Sequence, residues 1–117
     1  MTDAATPVRD IYQQDDCVVV TVVGDIDMAM TKTFQASLAD VVAKKPSRIV
    51  VDLAGVGYMD SSGVASLVKL HTQTKKIGAT MALAQVNPRV MSIFQIMRLD
   101  QLFGIFATID EATADQA

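Results

Sequence analysis

The sequence is short of the residue types on which most catalytic and metal sites depend. Its 117 residues include one cysteine, one histidine and no tryptophan. The lone Cys17 cannot form an intramolecular disulfide, and beside the valine-rich stretch that follows it we expect a buried structural thiol. One histidine and one cysteine cannot supply a usual zinc ligand set without several carboxylates. No glycine-rich phosphate loop of the GxxxxGKS type occurs. We therefore expect neither a metal nor a cofactor.

A nucleophilic serine also lacks its base. A serine hydrolase needs a base within hydrogen-bond reach of the nucleophile, and His71 is the only histidine. If residues 62–77 form one helix, Ser61 and His71 lie about 15 Å apart along its axis at 1.5 Å per residue. We expect His71 to be a packed or partly exposed helix residue, and the protein not to be an enzyme.

Basic clusters, export signals and long apolar runs are missing as well. The formal net charge is −3, and no run of Lys or Arg is dense enough to follow a phosphate backbone, so nucleic acid is not an expected partner. The first ten residues lack the basic and apolar regions of a secretion signal, and no apolar window reaches the roughly 18 residues of a membrane span. These features predict a cytoplasmic protein without direct membrane insertion.

What the chain does contain is an alternation of strand-like and helix-like segments. Half of its residues are hydrophobic and a fifth are charged, as in a folded domain with one core. The segments predict strands at 7–14, 17–27, 47–56, 79–86 and 102–108, and helices at 28–45, 62–77, 87–99 and 109–116. This order predicts a single α/β domain, with a mixed, mostly parallel sheet of four to five strands packed with about four helices. We place the domain at 7–113, with flexible ends at 1–6 and 114–117.

Side-chain periodicity predicts which faces of these segments are buried. In the valine-rich strand, alternate residues point to opposite sides of the sheet, and both sides carry apolar residues, so both are expected to be covered. The helices carry apolar residues at three- and four-residue spacing. The expected buried stripes are Phe34, Leu38, Val41 and Val42 in the first helix, and Val64, Leu67, Val68 and His71 in the second. Asn87 and Pro88 suit the N-cap and first position of the third helix.

The stretch GYMDSSGVAS, residues 57–66, places an acid, two hydroxyls and a glycine where the second helix should begin. Asp60 and Ser61 both stand where an N-cap is expected, and a cap requires no further function. Two features favour more than a cap. Gly63 in the first helical turn costs about 1 kcal/mol relative to alanine, which indicates close backbone approach or a need for room. The hydroxyls also lie where helix N–H groups would hold a phosphate.

A phosphoryl-accepting receiver domain is the competing α/β interpretation, because Asp52 stands near a strand end. That family also places an acidic pair just after its first strand and a lysine after a later strand. Here Asp15 and Asp16 precede the strongest strand, and no lysine follows Lys76. We therefore consider the receiver domain the weaker alternative.

Three motifs resemble the STAS domain, and within that family the bacterial anti-sigma factor antagonists. They are GDID at 24–27, IVVDLAGVGYMDSSGVASL at 49–67 and NPRVMSIFQIMRLDQLFGIFATIDEA at 87–112. The likeness covers roughly residues 8–113. It implies that Ser61 is phosphorylated by a cognate anti-sigma factor that is also a serine kinase of the histidine-kinase-like ATPase type. The residues alone do not distinguish Ser61 from Ser62.

The resemblance further implies partner switching. The unphosphorylated protein would bind the kinase and so release a sigma factor, and phosphorylation of Ser61 would end that binding until a PP2C-type phosphatase restores it. The implied partner-binding residues are Asp27, Met59, Asp60, Ser61, Ser62 and Gly63. The alternative that the same resemblance allows is a non-switching STAS subunit of a bacterial ABC-type phospholipid transport complex. We expect a monomer when the protein is free.

Overall fold

Five strands form one sheet in the order β1-β2-β3-β4-β5 in the computed structural model, which describes residues 6–114. The strands are β1 (Val8–Gln14), β2 (Cys17–Ile26), β3 (Arg48–Met59), β4 (Thr80–Ala84) and β5 (Gly104–Phe106). β1 pairs antiparallel with β2 across a turn at Asp15 and Asp16, and the other neighbours are parallel. The predicted mixed, mostly parallel sheet is confirmed.

Four helices pack against the sheet. They are α1 (Thr31–Ala43), α2 (Ser61–Lys76), α3 (Pro88–Ile96) and α4 (Ile109–Ala114). α1, α2 and α3 each connect one parallel strand to the next, and each connection moves one position along the sheet in the same direction. Because such connections are right-handed, the three helices lie on the same face of the sheet. Side chains of all three helices share one large core with the sheet, whereas Ala112 of α4 packs in a smaller core on the opposite face.

The valine alternation in β2 divides the side chains between these two cores. Val20 and Val22 lie in the large core under α1 to α3, and Val19 lies in the smaller core under α4. Cys17 is fully buried beside Val19, as the sequence predicts. A strand covered on both faces explains why β2 is almost continuously apolar rather than alternately polar.

Two helices differ from the sequence-based prediction in position or orientation. α1 begins at Thr31 rather than Met28, because residues 28–30 form a turn after β2. In α2 the predicted stripe is partly wrong, since Val68 and His71 are only half-buried. The side chains that replace them in the buried stripe are Leu70 and Thr74. Both stripes satisfy helical spacing, so the choice between them depends on the angle at which α2 packs on the sheet.

The remaining boundaries shift by a few residues. β3 continues to Met59, and β5 is limited to three residues. α3 ends before residue 98 because Arg98 adopts a left-handed conformation with φ of 59°, and Asn87 caps its start as predicted. Most of the two predicted flexible ends lies outside the described residues, which exclude 1–5 and 115–117. The last residues of the predicted helix at 109–116 lie outside them as well.

The carboxyl end of the sheet carries a two-stranded extension. The pairing of β3 with β4 ends at Asp52 and Ala84, whereas the pairing of β2 with β3 continues, with two register shifts, to Ile26 and Met59. The two strands therefore run past their neighbours, and the turn after β2 and the start of α2 follow directly from the ends of this extension.

Candidate functional site

The segment that leaves β2 and the segment that begins α2 lie side by side. Ile26 is the register partner of Met59, and the backbone N–H of Asp60 donates to the carbonyl of Ile26 at 3.1 Å. Asp27, which follows Ile26, accepts from the backbone N–H of Ala29 at 3.0 Å and so stabilises the turn. The sequence-predicted residues Asp27 and 60–63 are thereby brought to one end of the domain.

Asp60 is the N-cap of α2. Its Oδ1 accepts from the backbone N–H groups of Ser62 at 2.9 Å and Gly63 at 3.1 Å, and from the hydroxyl of Ser62. The Ser62 hydroxyl is the largest cause of the lowered pKa of Asp60, and these backbone N–H groups add to it against an opposing effect of desolvation. Ser61 is the first residue of the helix, so of the two expected cap positions only Asp60 caps.

This cap also changes the expected environment of a phosphate. The N–H groups of Ser62 and Gly63 were expected to be available to hold one, but the Asp60 carboxylate already accepts from both. A phosphate at this helix end would therefore stand beside an existing negative charge rather than in a ready anion site.

The three serines at the start of α2 have different environments. Ser61 is exposed, and among residues 6–114 no group forms a hydrogen bond with its hydroxyl. The Ser62 hydroxyl donates to Asp60. Ser66 is 1% exposed, donates to the carbonyl of Ser62 at 3.0 Å and accepts from Gln35 at 3.0 Å. Ser61 is therefore the only one of the three that presents an unengaged hydroxyl to solvent.

Gly63 permits close contact between α2 and the end of β2. A Cβ at this position would lie 2.6 Å from Met59 Cγ, 2.8 Å from Ile26 Cγ2 and 2.9 Å from the Ile26 carbonyl oxygen. The predicted need for close backbone approach is confirmed. Met59, one of the residues implied for partner binding, is fully buried beneath this contact. Its side chain supports the site from the core and is not on the surface.

Two exposed side chains at this end of the domain were missed in the sequence. Met28 is 77% exposed and Tyr58 is 42% exposed. The backbone of Met28 contributes to the lowered pKa of Asp60, which places Met28 beside the cap. The sequence-based prediction places Met28 in the first helix, yet Met28 stands six residues before Phe34 and so off the three- and four-residue spacing of the buried stripe. That mismatch was the available signal.

Replacement of Asp60 should separate its capping role from its charge. Asp60→Ala should lower the thermal unfolding midpoint at pH 7, whereas Asp60→Asn should retain most of the stability, because asparagine caps about as well as aspartate. The lowered pKa means that the charged cap stabilises fully above the unfolded-state value of 3.8 and loses this effect as the pH falls through the lower folded-state value. The difference between wild type and Asp60→Ala should therefore shrink in strong acid. An undiminished difference there would contradict this role.

Neither a metal centre nor a membrane segment is apparent in the part of the chain that the structure describes. Within residues 6–114, no three or more His, Cys, Asp or Glu side chains are grouped as metal ligands would be. No helix in the same range combines the length and apolar character needed to cross a membrane.

The comparison with known families agrees with the topology. The STAS domain model matches residues 9–112, nearly the whole chain. The chain belongs to the STAS domain family. This STAS domain is similar in structure to the anti-sigma factor antagonist from Mycobacterium paratuberculosis, with a TM-score of 0.83 and 26% sequence identity. The superposition with that crystal structure covers 89% of this chain and 88% of the other.

Two relatives of this STAS domain have names that state a role. The anti-sigma-B factor antagonist of Bacillus subtilis (strain 168) is 26% identical over 98 residues, which covers 84% of this chain and 89% of the relative. The anti-sigma-F factor antagonist RsfB of Mycobacterium tuberculosis is 27% identical over 96 residues, which covers 80% of this chain and 76% of the relative.

Proposed function

We propose that this STAS domain is an anti-sigma factor antagonist that works by partner switching. The unphosphorylated form binds an anti-sigma factor that is also a serine kinase of the histidine-kinase-like ATPase type, and a sigma factor is released. Phosphorylation of Ser61 ends the binding, and a PP2C-type phosphatase restores it. The named relatives support the antagonist role. The observation that carries the switch is the exposed, unengaged hydroxyl of Ser61 at the first position of α2.

Local geometry favours Ser61 over Ser62 as the acceptor. A kinase must bring the hydroxyl into line with the transferred phosphoryl group, and Ser61 can be presented without breaking any hydrogen bond among the described residues. Phosphorylation of Ser62 would remove the hydroxyl that donates to Asp60 and would disturb the cap of α2. Ser66 is buried and bonded to α1 through Gln35.

The proposed switch surface, which we define as Asp27, Met28, Tyr58, Asp60 and Ser61, lies at the end of the domain where β2 and β3 end and α2 begins. It combines two carboxylates with two exposed apolar side chains. A partner that fits it needs an apolar pocket for Met28 and polar or basic groups around that pocket.

Met28 should act as an anchor in this contact. Met28→Ala should weaken partner binding by about 1–2 kcal/mol, or roughly 5- to 30-fold, because burial of a methionine side chain contributes on this order. Titration calorimetry with the partner kinase measures the change. Met97→Ala is the matched control, since Met97 is another exposed methionine but lies just after α3, outside the switch surface. Equal affinities for the two variants would exclude Met28 from the interface.

The partner itself can be identified by affinity capture from the native cell. The Ser61→Ala protein, which cannot be phosphorylated at this position, should recover a histidine-kinase-like ATPase protein that Ser61→Asp recovers poorly. Mass spectrometry of the captured proteins measures both yields. If both baits instead recover the ATPase or permease of a phospholipid transporter in equal amounts, the switching proposal is wrong and the protein is a transporter subunit.

A further inference from the structure

A cleft at the end of the domain opposite Ser61 is lined by basic and hydroxyl side chains. Its volume is about 340 Å³, within the range of small-molecule sites. The lining comes from the starts of β3, β4 and β5 and from the last turns of α2. The polar groups in it are Arg48, His71, Thr74, Lys75 and Thr80, and no acidic residue takes part in the lining.

Arg48 is the most unusual of these residues. It is 4% exposed, and all of its described partners are neutral. Nε donates to the carbonyl of Ala112 and one terminal nitrogen donates to Thr80 Oγ1, both at 2.9 Å, while the guanidinium carbon lies 6.0 Å from the ring centroid of Phe106. No carboxylate within residues 6–114 forms an ion pair with it. A buried guanidinium that lines a cleft is a favourable partner for an anionic ligand.

The guanidinium retains donors for such an anion. Of its five N–H groups, the two described hydrogen bonds use two. Arg48 lines the cleft, and Lys75 lines it from the side of α2. The fork of arginine and the ammonium group of lysine together are a common combination for a phosphate group.

His71 and Lys75 lie one helical turn apart and also line a neighbouring depression of about 490 Å³. The ring of His71 contacts Phe103 edge-on, with centroids 6.0 Å apart, which holds the imidazole in place. Burial, and then the charge of Lys75, lower the pKa of His71, and its ring adds a hydrogen-bonding group to the cleft. The second depression adds apolar wall from Val68 and Leu102.

We propose that these two adjoining depressions bind a small phosphate monoester. The phosphate group pairs with Arg48 and Lys75 in the first depression, and its apolar substituent lies against Val68 and Leu102 in the second. The site is at the amino end of the sheet, whereas Ser61 is at the carboxyl end, so the two sites are separate. The ligand supplies a counter-charge for Arg48 and joins β3, β4 and α2.

Amide chemical shifts of the full-length protein test this site with phenyl phosphate as the probe. We expect saturable shifts centred on the cleft residues, with a dissociation constant of about 1 mM or tighter. Inorganic phosphate should shift the same amides with weaker affinity, and phenol, which has the ring without the charge, should not bind. No saturation by about 10 mM phenyl phosphate, or shifts spread over the lysines of the whole surface, would overturn the proposal.

Two lysines on one helix provide the matched variants. Lys75→Gln should weaken phenyl phosphate binding at least about 5-fold, which corresponds to roughly 1 kcal/mol. Lys69→Gln should leave it unchanged, because Lys69 is exposed on α2 and contributes to neither depression. Equal losses for both variants would indicate general charge attraction and would contradict a defined site. Both lysines are exposed, so neither variant should unfold the domain, and a thermal melt of each checks this.

Discussion

Phosphate on Ser61 should weaken binding to the partner kinase by roughly two to four decades while the domain stays folded. The phosphate adds a charge of about −1.5 to −2 within the proposed switch surface, next to the carboxylate of Asp60. An unpaired charge buried in an interface costs about 3–5 kcal/mol, which is the expected loss in binding free energy.

The fold should not change, because Ser61 contributes little to it. Its side chain is exposed and has no hydrogen-bond partner in the described part of the chain. Charges at a helix terminus change stability by about 0.3–2 kcal/mol at most. The N-terminus of α2 stabilises a negative charge on Ser61, whereas the neighbouring carboxylate of Asp60 repels it, so the two effects on the stability of the fold partly cancel. The proposed switch is therefore expected to act on the interface.

Titration calorimetry with the partner kinase measures this effect, when the affinity of the enzymatically phosphorylated protein is compared with that of the unphosphorylated protein. Ser61→Ala should bind like the unphosphorylated form, and Ser61→Asp should lose part of the affinity, since aspartate mimics phosphate only in part. Ser92→Asp, at an exposed serine of α3, controls for added negative charge elsewhere. Equal affinity of the phosphorylated and Ser61→Ala proteins, with both folded, would rule out the switch.

Gly63→Ala should destabilise the domain by about 1–3 kcal/mol, although alanine is the better helix residue. Helix propensity alone favours alanine by about 1 kcal/mol. The added Cβ would, however, stand 2.6 Å from Met59 Cγ and 2.9 Å from the carbonyl oxygen of Ile26. The carbonyl belongs to β2 and accepts from Asp60, so it cannot move away without disturbing the start of α2. Overpacking of this kind typically costs about 1–3 kcal/mol.

Gly57→Ala is the matched control for this experiment. A Cβ at Gly57 would contact only Asp25 Oδ1, at 3.8 Å, an ordinary van der Waals distance. Its stability should stay within about 0.5 kcal/mol of wild type, as for most surface substitutions. Urea denaturation measures both variants. If Gly63→Ala is as stable as wild type or more stable, the close contact between α2 and β2 is not a requirement of the fold.

The α/β class and the mixed, mostly parallel sheet could be predicted from the sequence because the signals for the strands and helices are local. The valine alternation of β2 identifies a strand covered on both faces, and Asn87 with Pro88 marks the start of α3 through the cap and the fixed proline φ. Once strands and helices alternate, the right-handed crossover rule leaves few arrangements. The buried stripe of α2 is mispredicted because two stripes satisfy helical spacing equally well.

The details of the site could not be predicted because they depend on tertiary contacts. The residue pattern does not separate Ser61 from Ser62, and the difference arises when Asp60 takes the hydroxyl of Ser62. Met28 is exposed because the chain turns before α1 rather than continuing the helix. Likewise, the sequence shows Arg48 only as a residue at the start of a strand, and its burial depends on the tertiary contact with Ala112 of α4.

The most direct test of the central claim is to map the phosphate after incubation with the partner kinase and ATP. Fragmentation of the tryptic peptide 49–69 distinguishes the three serines within it. We expect a single phosphate on Ser61, none in the Ser61→Ala protein, and none when the kinase is omitted. A phosphate on Ser62 or Ser66 in place of Ser61, or phosphorylation without the kinase, would contradict the proposed switch.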